Sequence, residues 1–165
     1  MVDGYNLIGS DLGLHGALEP KRHWLVQRLS LYQKIKQFKV TVVFDGWRTG
    51  RGGKVEQQVD GIRVLYSQLN EKADAVIVRL AREKGSGAVV VSSDREIRRA
   101  IERFDAVAIA ASEFSKILRS LDFGQSGDDF GDESCESCIV PKKGNPSRLS
   151  KLERRRNEKL KKLKL

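Results

Sequence analysis

The sequence predicts an α/β fold built on a parallel sheet, and three observations carry that prediction. Short β-branched, apolar runs alternate along the chain with stretches whose apolar residues recur at helical spacing, the order expected of strands joined by helical crossovers. The run at residues 39–45 is nearly continuous in Val, Thr and Phe, as a strand covered on both faces is. Aspartates also stand at or just past the ends of three of these runs: Asp3, Asp45 and Asp94. Carboxylates held in that way mark the edge where open α/β sheets bind ligands.

Taken in order, residues 1–3 are the end of a first strand. A glycine turn follows at Gly4, and residues 9–20 read as a loop containing Gly9, Gly13 and Gly16. Pro20 suits a first helical turn. Trp24, Leu25, Leu29, Tyr32, Ile35 and Phe38 then recur at helical spacing, which predicts a helix over 20–37. Residues 39–45 form the second strand. Residues 47–61, rich in glycine and cations, read as a long loop, a length that is usually functional or disordered. A third strand spans 62–67. A helix follows over 72–84, closed by Gly85. The fourth strand covers 88–92, and Asp94 is placed to cap a helix with Ile97 and Ile101 inward. A fifth strand covers 105–110. Ser112 is placed to cap a last body helix, with Phe114, Ile117, Leu118 and Leu121 on its apolar face.

Length and charge set the domain organisation. The 165 residues suffice for one domain and a tail. Residues 1–121 form the body. Residues 122–146 read as an acidic, Gly- and Pro-containing linker, and 147–165 as a basic helical tail. Residues 142–165 hold 11 Lys and Arg against 2 Glu, so they carry the entire net charge of +9. That asymmetry points to a polyanionic partner. Nucleic acid is the favoured one and an anionic membrane surface the competing one. Within the tail, Ser150 and Glu153 have capping-box spacing. No apolar run approaches the ~18 residues of a membrane span, and Asp3 and Asp11 interrupt the start where a signal peptide would lie, so the expectation is a cytoplasmic protein. Cys135 and Cys138 have the spacing of half a zinc site without a second pair, and read as reduced, unliganded thiols.

The acidic residues carry the chemistry. If the strand order is 3-2-1-4-5, strands one and four straddle the switch point. Asp3, Asp45, Asp94 and Asp74, the last at the start of a helix, then face one crevice. Clustered carboxylates repel and raise each other's pKa unless a cation neutralises them. A hard divalent ion such as Mg²⁺ accepts oxygen ligands, keeps waters and engages substrate phosphate. Attack on a phosphodiester is the natural reaction of such a site. His15 and His23 lie away from the strand ends, so no histidine base competes with this account.

The set Val2-Asp3-Gly4-Tyr5-Asn6, Val43-Phe44-Asp45, Ala73-Asp74 and Ser92-Ser93-Asp94 resembles the NYN-domain proteins of the PIN-like nuclease superfamily, and most closely the bacterial YacP-like group. The likeness covers roughly residues 1–121. It implies a three-layer α/β/α sandwich, Mg²⁺ or Mn²⁺ at the aspartates, and endonucleolytic cleavage of single-stranded RNA leaving 5′-phosphate and 3′-hydroxyl ends. On this resemblance Asp3 and Asp94 bind the principal metal. Asp45 and Asp74 complete the pocket, and Asn6 and Ser93 position phosphate or water.

Two further segments read as RNA contacts. Trp47, Arg48, Arg51 and Lys54 follow Asp45 and offer stacking and phosphate contacts to a single strand. Arg154, Arg155, Arg156 and Lys159 of the tail are assigned to RNA or ribosome binding. The alternative is a non-catalytic RNA- or ribosome-binding adaptor whose acidic pocket is vestigial.

Overall fold

The computed structural model describes residues 1–46, 55–68, 71–123 and 150–164. Among them six strands form one sheet: β1 (Val2–Asp3), β2 (Thr41–Phe44), β3 (Val55–Val59), β4 (Ile62–Tyr66), β5 (Val89–Val91) and β6 (Val107–Ile109). Its order is β3-β4-β2-β1-β5-β6. The five strands expected from sequence therefore stand in the order 3-2-1-4-5 and run parallel. β1 is short, but Met1 extends its pairing: its amine donates to the Val89 carbonyl (2.7 Å) and its own carbonyl accepts from Val91 N–H (2.9 Å).

β3 is the difference. It pairs antiparallel with β4, in part of the stretch read from sequence as loop. Val59 faces Ile62 across the two-residue turn Asp60–Gly61, and both turn residues have positive φ (50° and 83°). That is the type I′ hairpin turn, whose twist matches that of the flanking strands. The remainder of the expected loop, with Trp47, Arg48, Arg51 and Lys54, lies outside the described residues, as do Cys135 and Cys138.

Helices cover both faces and complete the α/β/α sandwich. On one face lie α1 (Gly4–Asp11), α2 (Leu18–Lys36) and α5 (Ala111–Phe123). They bury Leu7, Ile8, Leu25, Leu29, Tyr32 and Phe114 against Val42, Phe44 and Ile109. On the other lie α3 (Ala73–Lys84) and α4 (Arg95–Glu102), which bury Ile77, Leu80, Ile97 and Ile101 against Val43, Leu65 and Val90. α1 replaces the expected turn and loop. Gly4 and Asn6 are poor helix formers, and the helix depends on its cap and on Leu7 and Ile8, both almost fully buried.

α6 (Lys151–Leu163) is the expected basic helix, with the expected capping box between Ser150 and Glu153. It is folded onto the body against β6. Leu163 is buried beside Tyr32, whose hydroxyl donates to the Leu163 carbonyl (3.0 Å). Tyr32 also packs edge-on against Phe114 at 5.2 Å. Arg155 pairs with Asp105, and Arg156 with Glu113. No helix of the described residues is long and apolar enough to cross a membrane.

Candidate active site

The sheet places four aspartates on one edge through four different local devices. Asp3 ends β1 and caps α1, with Oδ1 accepting from Asn6 N–H at 3.1 Å. Asp45 follows β2, and its Oδ1 accepts from the Ser67 hydroxyl at 3.1 Å. Asp74 lies in the first turn of α3. Asp94 caps α4, with Oδ1 accepting from Glu96 N–H at 2.6 Å. Each is held by the helix or strand end that presents it.

The glycines after Asp3 and Asp45 serve packing rather than turn conformation. A Cβ on Gly4 would stand 2.2 Å from the Phe44 ring, and one on Gly46 would stand 1.9 Å from the Ser67 carbonyl oxygen. Neither glycine has positive φ. Both allow a neighbouring strand to approach just behind a carboxylate. Phe44 in turn stacks on Tyr66 at 5.7 Å and meets Tyr5 edge-on at 5.3 Å. Tyr5 is fixed from α2 by Arg22, which donates to its hydroxyl (3.0 Å) and pairs with Glu19.

Three side chains to which the sequence assigned no role complete the arrangement. Ser92 is fully buried; its hydroxyl donates to Asp3 Oδ2 (3.2 Å) and accepts from Asp94 N–H (3.2 Å). It therefore joins the two aspartates of the switch-point strands. On the far side the Ser67 hydroxyl, which donates to Asp45, also accepts from Gly46 N–H (3.0 Å) and so ties that carboxylate to the backbone after it. Glu96, in the first turn of α4, adds a further negative charge felt at Asp74.

Asn6 and Ser93 are brought together. Ser93 N–H donates to Asn6 Oδ1 at 2.9 Å, which orients the amide and leaves its NH₂ to face outward from that bond. The Ser93 hydroxyl, however, accepts from Ala111 N–H at 3.1 Å. It satisfies the start of α5, a role expected of Ser112. Glu113 shares that role by accepting from Ala110 N–H (3.2 Å).

Electrostatics tie the carboxylates to one environment. Burial raises the Asp3 carboxyl from 3.8 to about 6; hydrogen bonds from Asn6 and Ser92 oppose the rise, and the charges of Asp74 and Asp94 add to it. Asp74 is also raised, first by burial, then by Asp94, with Lys72 opposing and Asp45 and Glu96 contributing. Among the described residues no three His, Cys, Asp or Glu side chains stand close enough together to hold a metal ion between them, so the four aspartates do not form a ready-made set of ligands. The donors that are present, carboxylate and hydroxyl oxygens with no sulfur or imidazole among them, fit a hydrated hard cation held by one or two carboxylates. The raised Asp3 carboxyl is the group such a cation would bring back into the ionised form.

The basic residues expected to meet RNA divide. In α6, Arg155 and Arg156 are committed to Asp105 and Glu113, and Lys159 lines a cleft beside Met1 and Val89. Arg154 is exposed. His15 and His23 are exposed; His23 bonds Gln27 on α2 (2.9 Å).

An α/β/α sandwich with four aspartates at its carboxyl edge fits an NYN domain, and NYN domains belong to a nuclease superfamily. The chain belongs to the YacP-like NYN domain family, whose model matches residues 1–164. It is 30% identical over 130 residues to the uncharacterized protein YacP of Bacillus subtilis (strain 168), a match covering 74% of this chain and 75% of that one. Two crystal structures of Rae1 (YacP) from Bacillus subtilis are similar at 29% identity. A point mutant superposes with a TM-score of 0.60 over 73% of this chain and 74% of its own. The other gives 0.58 over 73% of each chain.

Proposed function

We propose that this domain is a metal-dependent endoribonuclease that hydrolyses phosphodiester bonds in single-stranded RNA, including RNA presented on a ribosome. The observation that supports it most is the Ser92 hydroxyl, which ties Asp3 to Asp94 at the switch point while Asp74 and Asp94 crowd the same pocket with charge. A pocket of that kind gains from a cation, which would also offset its repulsion of a phosphate backbone.

Asp3 and Asp94 would hold Mg²⁺ or Mn²⁺, with Asp45 and Asp74 completing the acidic wall. When bound, the cation supplies Lewis acidity to the phosphoryl group and makes a water more acidic. Asp74, partly buried and raised in pKa, is suited to orient the attacking water and accept its proton. Asn6 is suited to donate its NH₂ to a phosphate oxygen, since its carbonyl is already held by Ser93. Ser93 then acts through Asn6 and through the start of α5. Trp47, Arg48, Arg51 and Lys54, which follow Asp45 in sequence, are assigned to contacts with the strand on their composition.

The test is cleavage of a labelled single-stranded RNA with Mg²⁺ or Mn²⁺, against an EDTA control and Asp94→Asn. Asparagine caps a helix as well as aspartate, so the variant keeps α4. Cleavage should fall by more than about a hundredfold, beyond the 10–100-fold typical of outer-shell changes. Equal RNA binding by both proteins with no cutting by either would establish the adaptor in place of the nuclease.

A further inference from the structure

A cleft of about 490 Å³ runs between α3 and α4, and Asp74 and Glu96 stand at one of its ends. It therefore opens from the acidic site itself. Ala75, Val78 and Ala100 line it, and the small alanines leave room between the helices. Arg82 and Phe104 also line it. Asp74 and Arg82 are two helical turns apart, a distance of about 12 Å along α3. On α4, Arg99 and the following Arg103 succeed Glu96 at i+3 and i+7, so they stand outside the lining formed by Glu96, Ile97, Ala100 and Phe104, on the helix flank next to it. Arg82, Arg99 and Arg103 are exposed, and among the described residues none of the three forms an ion pair. Arg79, between them and the acidic end, is paired with Glu71.

We infer that the α3–α4 cleft carries the stretch of single-stranded RNA adjoining the bond to be cut. The inference rests on the nuclease reading for its direction and names where that substrate lies. Its charge changes sign along the cleft: acidic at Asp74 and Glu96, where a cation would have to mediate any contact with phosphate, and cationic at Arg82, where protein would meet phosphate directly. The apolar lining suits sugar edges and base faces, and Phe104 offers a ring on which a base stacks. Arg82 on the α3 rim and Arg99 and Arg103 on the α4 rim suit phosphates of a strand between them, each with a planar fork of donors.

The measurement is equilibrium binding of a fluorescent single-stranded RNA to the full chain across a salt series, in EDTA so that the RNA stays intact. Replacing Arg82, Arg99 and Arg103 together by Gln should make the slope of log K against log[salt] less steep by about 2, at ~0.7 per lost phosphate contact. Phe104→Ala should weaken binding about fivefold or more with the slope unchanged, and Phe104→Tyr should restore it. Lys34→Gln, on the exposed face of α2 behind the sheet, controls for lost charge and should change the slope no more than one distant cation does. The arginine positions are exposed, so that variant keeps its fold whatever Phe104→Ala does. An unchanged slope in the triple variant would overturn the inference and leave the cleft to a protein partner. A reduced slope in a protein that cuts no RNA with any metal would keep the cleft as an RNA site and remove the nuclease reading. Cutting together with an unchanged slope would do the reverse.

Discussion

Asp3 is the costliest residue of the site to keep ionised. Its carboxyl is raised from 3.8 to about 6, so between those values the folded protein binds this proton more tightly than the unfolded chain does. The stability contributed by the group is fully present below about pH 4 and is lost as pH rises through about 6. Asp3→Asn cannot ionise, and it still caps α1. At pH 7.5 without added metal it should be more stable than wild type by about 1–3 kcal/mol, since each tenfold gain in proton affinity on folding is worth about 1.4 kcal/mol. At pH 4 the two should agree. Urea denaturation at both pH values checks this; a wild type at least as stable as the variant at pH 7.5 would rule it out. Asp3, Asp45 and Asp94 were legible in the sequence because a strand end fixes where a residue stands, and Asp74 because a helix start after a strand lies on the same edge. Their hydroxyl partners were not. In Ser92-Ser93 two identical side chains follow one another, and only the fold decides that the first reaches Asp3 while the second serves α5.

At the scale of elements, the parallel core was legible and its additions were not. The strand order assumed for the aspartates to face one crevice is the order found. β3 escaped because Glu56, Gln57 and Gln58 give an edge strand little apolar signal, although Asp60–Gly61 is a strong hairpin dipeptide. α1 escaped because it is short, and its Gly4 reads locally as a turn. The fit between neighbouring elements also gives a prediction. Gly46 brings the end of β2 against the backbone after β4, where a Cβ would overlap the Ser67 carbonyl oxygen. Because the obstacle is backbone, Gly46→Ala should cost about 1–3 kcal/mol and displace the hydrogen bond between Ser67 and Asp45. Thermal denaturation reads the first effect, and a loss of cleavage larger than the loss of folded protein reads the second. A fully stable, fully active alanine variant would show that the contact is dispensable.

At the scale of the molecule, the charge asymmetry of the sequence led to a helix, and the fold shows that this helix does structural duty as well. α6 adds Leu160 and Leu163 to the core on the α2–α5 face and neutralises Asp105 and Glu113. The sequence concealed this because its leucines are sparse and its cations dominate. Deleting residues 150–165 should therefore lower the melting temperature by about 5–10 °C, from a loss of about 2–3 kcal/mol. Differential scanning calorimetry measures it, and an unchanged melting temperature would mean that α6 contributes nothing to the body.

The position of α6 against β6 also bears on how the chain is made. β6 is the outermost strand on its side of the sheet, and an uncovered edge strand is a template for pairing with other chains. During synthesis β6 emerges well before residues 150–164, the helix that comes to lie against it. At ordinary elongation rates that leaves the edge bare for on the order of seconds. Nascent chains crowded on one message thus meet with their sheets open, and translation pauses between β6 and α6 should favour misassembly, whereas a pause after α6 should not.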